Sequence, residues 1–256
     1  TLREARSHFG ANVVAVQYPV QTGENFNSIV DVLNMVMYKF PAEGGKPEKL
    51  SIPESEKEKA EQLHKELIES IASNDESLME KYFDKGELSE DEMKEGMKKA
   101  MINHDLFPLF CLSAERNMGS GRLMGFIDNV CPAANEMPPQ ITKRGDKLTC
   151  DAAGPACIFI YKTVSEPHVG ELSFFKVYSG TVKSEMDLEN EITGKSEKIN
   201  QLFLVEGNKR TNINELVAGD IGATLKLKNT HVNNTLHVKG KNYELNSIEF
   251  PPPNMT

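Results

Sequence analysis

The stretch 106–130, LFPLFCLSAERNMGSGRLMGFIDNV, constrains the fold more than any other part of the sequence. Its apolar run, 106–112, is too short for a free-standing helix and is bounded by turn formers, so it predicts a strand buried on both faces. Pro108 works against that reading, because proline donates nothing to a ladder. Ser113, Ala114 and Glu115 follow, then a Gly119-Ser120-Gly121 turn, then Leu123, Phe126, Ile127 and Val130 at helical spacing. Strand, Ser-Ala turn and helix is the way an α/β domain presents backbone N–H groups at the carboxyl edge of its sheet, where ligands bind.

On either side of this unit the pattern changes. Upstream, Leu2, Ala5 and Phe9 suggest a helix stopped by Gly10, and 12–18 (NVVAVQY) predicts a buried strand closed by Pro19 and Gly23. The segment 26–40 is rich in β-branched and aromatic residues and predicts one or two strands around Asp31; 41–47 (PAEGGKP) is a loop. Ser51-Ile-Pro-Glu54 predicts a capping-box start for a helix with Ala60, Leu63, Leu67 and Ile71 on one stripe, ending near Ala72. A short helix with Leu78, Met79, Tyr82 and Phe83 stops at Gly86, and Ser89-Glu-Asp-Glu92 opens a third with Met93, Met97, Ala100 and Met101 on one face. That methionine stripe reads as core.

Downstream, 131–139 (CPAANEMPP) is a proline-punctuated linker. Strand-length segments follow at 156–164, 172–182, 196–205, 221–227 and 245–250, with turn residues between them and almost no helical pattern. That spacing suggests an antiparallel barrel. The fold class expected is therefore α/β with an α+β insertion, followed by an all-β barrel.

Charge separates the halves. Residues 1–139 carry 24 acids and 15 bases, against 14 of each in 140–256, and 53–99 alone holds 15 acids and 8 lysines. A bare nucleic-acid-binding face would be basic, so the acidic half suits a basic protein partner better, or is simply a solvated helical surface. No apolar run approaches the length that spans a bilayer, so no membrane association is expected. Cys111, Cys131, Cys150 and Cys157 form no C-x-x-C pair and read as free thiols in a reducing cytoplasm, and His231 and His237, six apart in an Asn-rich stretch, read as loop residues and not as metal ligands. The sequons at 233–235 and 254–256 carry little weight without a secretory signal.

The Ser-Ala turn calls for a search for nucleotide-binding motifs. A phosphate-cradling G-x-x-x-x-G-K-[S/T] is missing: Gly45-Lys46 runs into Pro47, and Gly194-Lys195-Ser196 has Glu189 where the first glycine belongs. Asp151-Ala-Ala-Gly154 fits D-x-x-G by letter but precedes a barrel strand, and Asn208-Lys209-Arg210-Thr211 fails N-K-x-D at its acid. The sequence holds no G-x-S-x-G and no H-E-x-x-H, and its acidic pairs lie on exposed helix faces. The residues by themselves support binding and scaffolding, with no catalytic residues and no metal site.

Several separated segments resemble the bacterial translation elongation factor G family, and in that family's order. Leu112-Ser113-Ala114 is similar to the last guanine-binding motif of its GTPase domain; GANVVAVQYPV with FNSIVDVLNMVMYKF resembles the entry strands of the subdomain inserted there. GELSFFKVYSG at 170–180 and LVAGDIGA at 216–223 resemble signatures of the β-barrel second domain, and IEFPPP at 248–253 its exit. The resemblance implies a fragment: 1–18 and 105–131 as the end of the GTPase domain, 19–104 as the inserted acidic subdomain, 132–142 as linker, 143–250 as the barrel, and 251–256 as the start of a connection to a third domain. It implies Ser113, Ala114 and Glu115 as guanine-nucleotide-binding residues, with the Ala114 N–H facing guanine O6 and Ser113 bracing the loop. GTP or GDP with Mg belongs to the intact parent, and no cofactor is expected in the fragment.

The family's role implies a cytoplasmic ribosomal translocase whose GTP hydrolysis drives movement of tRNA and mRNA, the barrel touching ribosomal RNA and the acidic insertion a ribosomal stalk protein, with no DNA partner. The fragment, lacking the phosphate loop and switches, is expected to be inactive. A ribosome-recycling paralogue and a nucleotide-independent ribosome-binding module are the alternatives. Two departures stand out: Lys176 where relatives often have Arg, and Glu185-Met186 in place of a turn glycine. If upstream strands are missing, sheet edge at 13–16 and 107–112 is expected to be exposed, giving pairing between molecules or disorder.

Overall fold

A computed structural model describes residues 2–166 and 170–252, so the sequon at 254–256 and the last residue of the IEFPPP segment lie outside the described residues. The chain divides into two units, Thr1–Pro132 and Ala133–Thr256.

The first unit opens with α1 (Leu2–Phe9), ended by Gly10 at φ 89°. None of its side chains is fully buried: Leu2 and Ala5 of the expected apolar stripe are half-buried, and Phe9 stands in solvent. The single strand expected over 12–18 is two: β1 (Val13–Ala15) and β2 (Gln17–Pro19). Next come β3 (Ser28–Asp31), β4 (Val36–Lys39) and β5 (Glu48–Leu50), then the helices α2 (Glu54–Ala72), α3 (Glu76–Lys85) and α4 (Glu90–Ile102). The chain returns through β6 (Phe107–Leu109) to α5 (Ser120–Asn129).

Val16 is the switch between two sheets. Its N–H donates to the Leu109 carbonyl at 3.0 Å, continuing the parallel pairing of β1 with β6, while its carbonyl accepts from Val32 N–H at 2.9 Å on the side of β3. From there β2, β3, β4 and β5 form a four-stranded antiparallel sheet in sequence order. Tyr18, Val30 and Met37 point from this sheet to the helices, where Leu67, Ile71, Met93, Met97 and Ala100 complete one core. Gly96 lets α4 close on its neighbours, since a Cβ there would lie 2.4 Å from Ile71.

Two helix starts repay comparison. Ser89 forms the full expected box with Glu92, the hydroxyl accepting from Glu92 N–H and the Glu92 carboxylate accepting from Ser89 N–H. The box expected at Ser51 does not form: the N-cap of α2 is Pro53, whose extended ψ of 152° delays the first turn and which has no side-chain acceptor to give. In α3, Asp75 caps the start and Gly86 at φ 76° the end, but Phe83 is turned out of the core with 79% of its surface exposed.

The central apolar run is also corrected. β6 pairs only with β1 among the described residues, in a two-stranded sheet, and Phe107 and Leu112 are each 40% exposed, so the run is not buried on both faces. Pro108 is compatible with such a strand because an edge position leaves its missing donor unneeded. Residues 13–16, expected to be exposed, are buried: α1 and α2 cover them.

The second unit contains β7 (Gln140–Ile141), β8 (Lys147–Leu148), β9 (Cys157–Glu166), β10 (Gly170–Ser179), β11 (Thr181–Lys183), β12 (Met186–Asn190), β13 (Ser196–Ile199), β14 (Leu202–Glu206), β15 (Lys209–Ile213), β16 (Glu215–Val217), β17 (Ile221–Leu225) and β18 (Thr235–His237). Eight of these form one antiparallel sheet in the order β13-β12-β18-β9-β10-β17-β14-β15, while β11 with β16 and β7 with β8 make short ribbons. Two register shifts in the β9–β10 pairing bend the long central hairpin and curl the sheet into a half-barrel around Ile158, Ile160, Phe175, Val177, Leu188 and Leu236. The α/β region followed by an antiparallel β-barrel domain is thus the fold observed.

Several strands read from the sequence shift. Residues 196–205 are two strands and not one, broken at Asn200-Gln201, and 245–250 forms no strand; it is tied instead by Leu245 N–H to Thr235 Oγ1 at 3.0 Å and Ile248 N–H to Asn233 Oδ1 at 2.8 Å. Glu185 adopts the left-handed backbone at φ 66° between β11 and β12, a conformation costing a non-glycine residue about 1 kcal/mol.

Candidate functional site

The Ser-Ala turn closes on itself. β6 delivers the chain to Ser113, whose N–H and carbonyl both bond to Met118, each at 2.9 Å, making a bridge that fastens the loop at its base. Within it Asn117 N–H donates to the Ala114 carbonyl at 3.1 Å and Arg116 N–H to Ser113 Oγ at 3.4 Å. Ser113 therefore braces the turn through its side chain, and Ala114 and Glu115 are left at its exposed tip. The Ala114 N–H makes no hydrogen bond among the described residues, so it is available to an acceptor from outside.

Two supports of this loop were not legible in the sequence. Gly44, at φ 76°, lies so close behind it that a Cβ would come within 1.9 Å of the Arg116 carbonyl oxygen, so the 41–47 loop is the back wall of the turn. Arg116 reaches across to donate to the Glu24 carbonyl at 2.7 Å. Between these lies a cleft of about 690 Å³ lined by Phe26, Phe110, Cys111, Ser113, Glu115 and others. Burial pushes the Cys111 thiol up to about 12, so it contributes shape and no nucleophile.

The other letter matches resolve as structure. Asp151-Ala-Ala-Gly154 is a corner: the Asp151 carboxylate accepts from Ala153 N–H at 2.9 Å, and its carbonyl accepts from Gly154 and Gly180 N–H at 3.1 and 2.8 Å. Gly180, at φ 75°, leaves no room for a Cβ against the Ala156 backbone. Lys195 belongs to the β12–β13 turn and Asn208 to the β14–β15 turn. His231 is in a loop, but His237 is a correction: it lies on β18, buried, with Nε2 2.8 Å from Glu191 Oε2 and Nδ1 3.0 Å from the Val238 carbonyl. Lys176 sits on β10 with its ammonium 5.3 Å from the Tyr178 ring centroid. Among the described residues no group of three or more His, Cys, Asp or Glu could hold a metal, and no helix is long and apolar enough to cross a membrane.

On the acidic helices, Glu58, Glu61 and Glu69 of α2 are exposed; Glu69 lies 3.9 Å from Lys65, while Glu58 and Glu61 form no ion pair among the described residues.

Most of the second unit finds a counterpart among known families. Residues 155–239 match the family model for elongation factor G domain 2. That match spans β9 through β18, so the GELSFFKVYSG and LVAGDIGA segments lie inside the matched stretch. The whole chain also superposes on a crystal structure of a protein from Thermus thermophilus with a TM-score of 0.80 at 23% identity, covering 99% of this chain and 36% of that one. At that identity the likeness is one of fold, and it takes in both the α/β unit and the β unit that follows it. The chain spans about a third of the length of the protein it superposes on.

Proposed function

We propose that this chain is the part of a bacterial translational GTPase of the elongation factor G kind in which the end of the GTPase domain, its acidic insertion and the domain 2 barrel follow one another. The observation that carries the reading is the free Ala114 N–H at the tip of a loop fastened by Ser113, placed at the carboxyl end of β6 and followed by a domain 2 barrel. In this reading 1–18 and 105–131 belong to the GTPase domain, 19–104 to the insertion, and 143–250 to the barrel. The exposed Phe107 and Leu112 would be covered by further strands of that domain.

The loop suits the base end of a guanine nucleotide. Ala114 N–H would donate to guanine O6, Ser113 would hold the turn that aims it, and Glu115 would border the base. GTP would supply the phosphoryl transfer in the intact protein; the residues here would bind and orient the base. The product would be a translocase acting on ribosome-bound tRNA and mRNA in the cytoplasm. Its barrel would lie on ribosomal RNA and the exposed carboxylates of α2 would meet a basic face of the ribosomal stalk.

Charge reversal at Glu58, Glu61 and Glu69, exposed and outside the nucleotide loop, tests the partner assignment in ribosome cosedimentation over a salt series. Weaker binding with a flatter salt dependence is expected; binding unchanged at every salt concentration would overturn it. A translocation assay on the intact gene product separates translocase from recycling factor, since robust tRNA movement excludes a recycling-only role.

A further inference from the structure

We infer that the polar cleft between the four-stranded sheet and α5 is a binding site for a small zwitterion of the α-amino-acid class. Cross-strand register places Gln17 beside Asp31, and Tyr38 beside Lys49, and side-chain alternation sets all of them on the sheet face turned away from α2 and α4. Helix α5 closes the other side with Arg122, leaving a cleft of about 380 Å³, a size ordinary for small-ligand sites.

The polar groups of this cleft are unevenly satisfied, and the imbalance defines the ligand. Gln17 and Asp31 are 4% and 5% exposed, a placement that costs free energy unless their polar atoms find partners. Both bonds from Asn34 go to Asp31 Oδ1, at 2.9 and 3.2 Å, and Gln17 Oε1 has no partner. The β2–β3 end therefore offers acceptors in want of donors. The opposite end offers donors: Arg122 spends one N–H on Tyr38 Oη at 3.0 Å, stacked 4.7 Å from that ring's centroid, and Lys49, which feels the charge of the Glu90 carboxylate on the α4 side of the cleft, forms no direct ion pair among the described residues. Lys94 is already held by Glu90 at 2.6 Å and is not available.

A ligand that fills both ends needs an ammonium at one and a carboxylate at the other. Asp31 and Tyr38 are diagonal neighbours across β3 and β4, about 7–8 Å apart, which an α-amino acid spans with one hydrogen bond at each charged group. The side chain would rest on Leu33 and on the edge-to-face pair Phe110–Phe126, whose centroids are 4.7 Å apart, so an aliphatic amino acid is the preferred occupant.

The test is a titration of L-leucine into the 256-residue chain, followed by amide NMR at Gln17 and Arg122, beside isopentylamine and 4-methylpentanoate as its two half-charged analogues. Saturable shifts are expected with leucine, with each analogue at least about tenfold weaker and the same loss in Asp31→Asn and Arg122→Gln, as befits a lost charged hydrogen bond. Lys49 is exposed, so Lys49→Gln keeps the fold and should weaken leucine and 4-methylpentanoate while leaving isopentylamine unchanged. No saturable shift with leucine or any other proteinogenic amino acid would overturn the inference. So would an analogue binding as tightly as leucine, or affinity retained in all three variants.

Discussion

The two units use similar apolar strand sequences to different ends. In the second unit the central hairpin β9–β10 is flanked by β18 and β17, and Phe175 and Val177 are sealed in the half-barrel. In the first, β6 has one neighbour among the described residues, and Phe107 and Leu112 stay partly in solvent. An apolar run reports that a segment seeks burial; how much burial it obtains depends on how many elements surround it. The barrel is a store of stability, whereas the loop beyond β6 is held chiefly by hydrogen bonds between Ser113 and Met118 and by the close approach of Gly44.

The largest effect that would sharpen this contrast comes from truncating one phenylalanine in each unit. Phe175→Ala is expected to cost the second unit about 3–5 kcal/mol, and Phe107→Ala less than about 1 kcal/mol in the first. Denaturant titration of both variants checks it; equal losses would mean the β1–β6 sheet is far better buried than its geometry shows.

A smaller effect lies at Glu185. Replacing a left-handed glutamate by glycine relieves about 1 kcal/mol of backbone strain, against the exposed ion pair with Lys198 at 2.5 Å, which contributes less. Glu185→Gly should therefore raise the midpoint of the second unit and leave that of the first where it was, as read by thermal unfolding.

The smallest effect is one of acid. Asp75 at the start of α3 is held at about 2 by the Ser77 hydroxyl, by Lys99 and by the Leu78 N–H. A depressed carboxylate contributes stability that is present above its unfolded value of about 4 and is lost as the pH falls towards 2. Solvent screening of its largely exposed partner Lys99 limits the loss to under about 1 kcal/mol. Helical circular dichroism of wild type and Asp75→Asn between about pH 5 and 2 should show the variant with the shallower decline; identical profiles would remove Asp75 from the account.

Local signals written in the sequence survived where one element decides the outcome. Gly86 and Ser89 set helix ends because a left-handed C-cap and a capping box act within a turn, and the barrel class followed from strand spacing. What failed depended on distant neighbours. Nothing in NVVAVQY says that Val16 must bond to Leu109 on one side and Val32 on the other. Ser51 carries the letters of a capping box, yet the extended Pro53 two residues on starts the helix later. At the candidate site Ser113, Ala114 and Glu115 were legible as a turn after an apolar strand. Gly44 and Arg116 were not, because their roles exist only once remote loops meet.

The proposal rests on one unpaired N–H, and the most direct measurement is the GDP affinity of the intact gene product with Ala114→Pro, which removes that donor. The account predicts a loss of about tenfold or more, with the barrel's unfolding transition unchanged. GDP affinity equal to wild type, in a variant whose barrel transition is also unchanged, would contradict it.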